Sequence, residues 1–71
     1  MDNMERRQRL GKAITKVRLT ADLSQRDLAL MAGTNQSYLW EIESGRTSVG
    51  FDRLCGIADA LGLPVRNLIE F

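Results

Sequence analysis

The stretch Ser24–Gly45, "SQRDLALMAGTNQSYLWEIESG", decides the fold. Ser24 offers an oxygen suited to capping a helix, and Asp27, three residues on, favours the positive end of that helix's dipole. Leu28, Met31 and Ala32 supply a short apolar face, and Gly33 stands where a helix end calls for positive φ. Asn35 is placed to cap a second helix, with Leu39 and Ile42 on its inner side and Gly45 closing it. Two short helices crossing steeply over so brief a turn need a small side chain at their contact. Ala29, four residues before Gly33, provides one.

Upstream of this pair, Leu10, Ile14, Val17 and Ala21 recur at i, i+4, i+7 and i+11, the stripe of a helix ending near Ala21. Downstream, the loop "GRTSVG" leads into Phe51, Leu54, Ile57, Ala58 and Leu61, the apolar face of a fourth helix ending at Gly62. Pro64, preset for a helix start, opens a fifth with Val65, Leu68 and Ile69. No segment alternates with period two over more than a few residues, and no linker divides the chain. The expectation is an all-α fold, five short helices around one small core in a single domain spanning 1–71.

With 71 residues, 44% hydrophobic and 27% charged, the chain is near the lower limit for folding without staples, but its composition is that of a compact domain rather than a disordered one. Its one cysteine, Cys55, cannot form an internal disulfide, and the absence of histidine excludes a His-containing zinc site. No base accompanies Cys55, so it reads as a structural thiol. No enzyme activity, metal or cofactor is expected. The opening "MDNMERRQR" has no apolar run, and no stretch approaches the roughly 20 apolar residues that span a bilayer, so a cytoplasmic protein is expected. Net charge is only +1, yet six of the ten basic residues (Arg6, Arg7, Arg9, Lys12, Lys16 and Arg18) fall in the first eighteen positions.

The spacing within Ser24–Gly45 is that of a helix-turn-helix, whose second helix presents its outer face to a DNA major groove. The chain also resembles the phage-repressor-like (Cro/cI, or XRE) DNA-binding domains from about Leu10 to Ile69. The matching segments are "LGKAITKVR", "LSQRDLALMAG", "YLWEIESG" and "LCGIADALGLPVRNLI", in the family's order and spacing. That resemblance implies a compact lambda-repressor-like domain of bacterial or phage origin, at the nucleoid when bound to DNA, with a recognition helix at about 35–44. It places Gln25 at a phosphate-binding glutamine, helped by the helix N-terminus, and makes Arg18 and Glu43 an ion pair between the first and recognition helices. It puts Gln36, Ser37 and Glu41 at positions that touch base edges.

Helix geometry agrees on direction. With Leu39 and Ile42 inward and about 100° per residue, Ser37, Glu41 and Ser44 point away from the core, with Gln36 and Trp40 on one flank and Tyr38 on the other. Base contacts are expected from Gln36, Ser37, Trp40 and Glu41: Gln pairs with adenine, Glu accepts from cytosine N4, and the Trp ring suits a thymine methyl or sugars. Phosphate contacts are expected from Gln25, Asn35, Tyr38, Ser44, Arg46 and Thr47, with Arg46 the main cation.

Three departures from the family pattern stand out. Asp22 replaces a turn glycine, Val49 and Gly50 replace the usual Pro and Ser/Thr before the fourth helix, and Trp40 and Glu41 are uncommon in a reading face. One recognition helix reaches few base pairs, so a homodimer joined through Ile69 and Phe71 is expected on a palindromic operator. The expected function is a sequence-specific transcriptional regulator, a repressor or small autoregulatory controller. The alternative is a protein-interaction module, antitoxin-like or a regulatory partner, in which Trp40 and Tyr38 anchor a protein.

Overall fold

Capping side chains and left-handed turns cut the chain into helices. The computed structural model describes every residue, Met1–Phe71. Helix α1 (Asn3–Thr20) starts at Asp2, whose Oδ1 accepts from the Glu5 backbone N–H at 2.8 Å. Helix α2 (Gln25–Met31) opens on a reciprocal capping box: the Asp27 N–H donates to Ser24 Oγ at 3.0 Å, and the Ser24 N–H donates to Asp27 Oδ2 at 3.2 Å. Helix α3 (Gln36–Glu43) is capped by Asn35, whose Oδ1 accepts from the Tyr38 N–H at 2.9 Å. Helix α4 (Phe51–Leu61) begins at Gly50 with no side-chain cap.

Helices α2 and α3 end in the same way. Gly33 (φ 73°) donates to the Leu30 carbonyl and Thr34 to that of Ala29; Gly45 (φ 75°) donates to Ile42 and Arg46 to Glu41. This pairing satisfies the last carbonyls of each helix and needs a left-handed residue at the turn. Asp22, at φ 59°, is the one non-glycine residue in that region, held where the family pattern has glycine.

The core consists of Leu10 and Ile14 from α1, Leu28 and Ala29 from α2, Leu39 and Ile42 from α3, Ile57 and Ala58 from α4, and Leu68. Helix α3 packs on α1 and α2, and α2 also packs on α4. The expected apolar faces overreach at their ends. Ala21, just past α1, Met31, the last residue of α2, and Phe51, the first of α4, are all exposed. A terminal position on an apolar stripe extends beyond the neighbouring helix that would cover it.

The expected fifth helix is corrected to a single 3-10 turn, Val65–Asn67, giving four α-helices rather than five. Pro64 caps this turn, the Asn67 N–H donates to Pro64 O at 3.0 Å, and the Leu68 N–H donates to Val65 O at 2.8 Å. Burying Leu68 completes the core within one turn, and Ile69 is already exposed. The fold remains all-α, and no helix is long and apolar enough to cross a membrane.

The uncapped start of α4 yields a prediction. Gly50 has φ −66° and ψ 155°, open to any residue, and a Cβ there would meet nothing within 4 Å. Gly50→Ser supplies the missing cap and restricts the unfolded chain, so stability should rise by about 0.5–1 kcal/mol. Thermal unfolding should show a midpoint higher by a few degrees, and an unchanged or lower midpoint would contradict this.

Candidate nucleic-acid interface

The inward turn of α3 determines what its outer face offers. Leu39 and Ile42 are fully buried, which leaves Gln36, Ser37, Trp40, Glu41 and Ser44 exposed. Gln36, Ser37, Trp40 and Glu41 line one shallow, open depression together with Gln25 from the first turn of α2. Trp40 is 45% exposed, a large apolar surface for a single side chain on a helix otherwise lined with amides, hydroxyls and a carboxylate. Arg46, just past α3, lies with its guanidinium 4.8 Å from the centre of the Trp40 ring, a cation–π stack that places a cation against this face.

The other expected contact residues are arranged around α3 with their polar atoms partly engaged. Asn35 uses its carbonyl oxygen as the α3 cap, leaving its amide N–H groups unused within the chain. The Ser44 hydroxyl donates to the Glu41 carbonyl at 3.1 Å, and that of Thr47 to Ser48 O at 3.3 Å. Tyr38 is half-buried, its ring packed against the core. Neither Ile69 nor Phe71 lines that depression; Phe71 lines a separate apolar groove with Leu10, Val49 and Leu54, edged by Arg6 and Arg7.

What holds α3 in place is a hydrogen-bonded hub on Glu43. Arg18 approaches it with both edges of its fork, Nε donating to Oε2 at 2.8 Å and Nη2 to Oε1 at 3.0 Å. Both side chains are buried, at 10% and 5% exposure. The remaining Arg18 nitrogen, Nη1, donates to the Leu23 carbonyl at 2.9 Å, which ties the turn between α1 and α2 into the same hub. Glu43 Oε1 also receives the Thr15 hydroxyl at 2.9 Å and the Gln25 amide, Nε2, at 3.2 Å. No buried polar side-chain atom is left without a partner. One acid on α3 therefore fixes the end of α1, the turn, and the side chain of Gln25.

Several residues that position this face escape the sequence reading. Gly11 on α1 is buried against the last turn of α3; a Cβ added there would lie 2.2 Å from the Glu43 carbonyl oxygen and 2.7 Å from that of Ile42. A glycine inside a helix costs up to about 1 kcal/mol relative to alanine, and that cost is the signal that points to a close approach. Thr15, one turn on, donates to the hub. Arg7 Nε donates to the Gly45 carbonyl at 3.3 Å, and Arg53 Nη1 on α4 donates to the carbonyls of Ala32 and Gly33 at 3.2 and 2.9 Å. These two arginines satisfy carbonyls at the ends of α3 and α2, an assignment that no local spacing encodes.

Comparison with known proteins agrees with this geometry. The Helix-turn-helix family HTH_3 matches residues 14–68. Control protein C.BamHI of Bacillus amyloliquefaciens is 31% identical over 62 residues, covering 86% of this chain and 76% of the relative. The solved structure of the restriction-modification controller protein C.AhdI from Aeromonas hydrophila superposes with a TM-score of 0.86 at 29% identity, covering 87% of this chain and 94% of that one. The clp gene regulator ClgR from Corynebacterium glutamicum superposes at 0.87 with 31% identity, covering 90% of this chain and 68% of that one. The family match takes in the end of α1, the α2–α3 pair, α4 and the 3-10 turn, and the chain belongs to the XRE-type helix-turn-helix family of DNA-binding transcription regulators.

Proposed function

We propose that the chain acts as one sequence-specific DNA-binding domain, a small controller or repressor that binds a palindromic operator as a homodimer with α3 in the major groove. The observation that carries this reading is the outer face of α3. Gln36, Ser37, Trp40 and Glu41 are exposed together, while the hub on Glu43 keeps the helix end from moving. A reading helix must be held rigidly, because a shift of an ångström misplaces every base contact at once. The controller reading is supported by likeness: the chain matches C.AhdI over 94% of that protein's chain and C.BamHI over 76% of its length.

Affinity requires phosphate contacts, and with no Lys or Arg inside α3 these come from its surroundings. Gln25 presents its backbone N–H at the start of α2 and an amide held by Glu43. Asn35, Tyr38, Ser44 and Thr47 are neutral donors around α3, and Arg46 supplies the charge. Two-fold symmetry is assigned to the C-terminal surface, where Ile69 and Phe71 remain 42% and 44% exposed.

Arg46→Ala should weaken binding to all duplexes alike and make the dependence on salt shallower by about one phosphate's worth. A titration showing loss confined to particular sequences would contradict that role. Sedimentation over a concentration series tests the dimer: a chain that stays monomeric at high micromolar concentration would remove the two-fold operator from the proposal.

A further inference from the structure

The depression on α3 has a chemistry more specific than a generic reading face. Glu41 is exposed, and its carboxylate has no hydrogen-bond or ion-pair partner in the chain, since the one salt bridge is Arg18–Glu43. The cation closest in sequence, Arg46, is stacked on the Trp40 ring. A free carboxylate facing DNA is repelled by the phosphates unless it meets a donor, and the major groove offers only two, adenine N6 and cytosine N4. Adenine sets the acceptor N7 beside its amino group, which opposes a second acceptor. Cytosine sets an apolar C5–H beside its own. Thymine and guanine present acceptors and no donor.

Trp40 lines the same depression as Glu41, so an acceptor and an apolar ring sit side by side. We propose that the Trp40–Glu41 pair reads a cytosine in each half-site, Glu41 accepting from N4 and the indole covering the C5 edge. This rests on α3 being the DNA-reading helix and names the base it selects. One consequence is atom-specific. Pairing with guanine uses one N4 hydrogen and leaves the other in the groove, so an N4-methyl group that preserves the pair must replace the groove hydrogen. A 5-methyl group instead lands on the indole.

The test selects bound duplexes from a random pool in parallel with the wild-type chain and with Glu41→Gln, a change at an exposed site that leaves the core intact. The two consensus half-sites should agree except at one position, cytosine for wild type and relaxed toward adenine for the variant, because a glutamine pairs with adenine. At that position N4-methylcytosine should lower wild-type affinity by roughly 5- to 150-fold, the range of a lost base-specific contact. Replacement by 5-methylcytosine should leave binding at least as tight. Identical consensus sites for the two chains, a base other than cytosine at the differing position, or indifference to N4-methylation would each overturn the cytosine assignment while leaving DNA reading intact. No enriched duplex for either chain would overturn both.

Discussion

Glu43→Ala is expected to lower stability by about 3–5 kcal/mol, because it leaves the Arg18 guanidinium buried with only the Leu23 carbonyl as partner. A domain of this length has on the order of 4–10 kcal/mol in total, so much of the population should unfold near physiological temperature. Arg18→Ala should be damaging for the mirror-image reason, with the Thr15 hydroxyl and Gln25 amide only partly compensating Glu43. Replacing both charges at once by apolar residues of similar size, Arg18→Met with Glu43→Leu, should recover much of the loss, since no buried charge then lacks a partner. Denaturant unfolding of the two single variants and the double variant measures this directly. Single variants within about 1 kcal/mol of wild type would mean the hub does not hold α3 to α1.

Gly11→Ala should destabilise by about 1–3 kcal/mol or more, and the sign is the informative part. In an open helix interior the same change stabilises by roughly 0.5–1 kcal/mol. Here the new methyl would meet the Glu43 backbone oxygen at 2.2 Å, and backbone cannot rotate away as a flexible side chain does. The two helices must separate, which also stretches the Arg18–Glu43 pair and displaces the far end of α3. Thermal unfolding should show a midpoint lower by several degrees at least, and DNA affinity should fall even where the variant is folded. A midpoint above wild type would show that α1 and α3 are not in close contact at this point.

The α2–turn–α3 unit is legible in sequence because its determinants are local. Ser24 and Asp27 form their box across three residues, Asn35 caps its own helix, and Gly33 and Gly45 occupy the left-handed turns. The exposed outer face of α3 follows equally from helical geometry, once Leu39 and Ile42 are placed inward. Other features depend on what lies across the core. Periodicity marks Met31 and Phe51 as members of apolar stripes but does not show where the covering helix stops, and both are exposed. Proline and three apolar residues are compatible with a helix after Gly62, yet burying Leu68 needs only a 3-10 turn.

Within the site, the pairing of Arg18 with Glu43, twenty-five positions apart, is implied by the family resemblance and by no spacing rule. Thr15 and the Gln25 amide join that pair only because α1, α2 and α3 converge there. Gly11 left a trace, a helix-weakening residue inside an eighteen-residue helix, but the trace names no partner. The stack of Arg46 on Trp40 has the same character: two residues six apart, joined because the turn at Gly45 folds the chain back over α3.

Whether α3 reads DNA is tested most directly by exposing the wild-type chain to a random duplex pool at low salt and sequencing what it retains. The expected result is an inverted repeat whose half-sites are centred about 34 Å apart, one turn of the duplex, as two α3 helices related by a two-fold axis require. A pool recovered without enrichment of any sequence would contradict DNA reading by this face and turn the exposed Trp40 and Glu41 toward a protein partner.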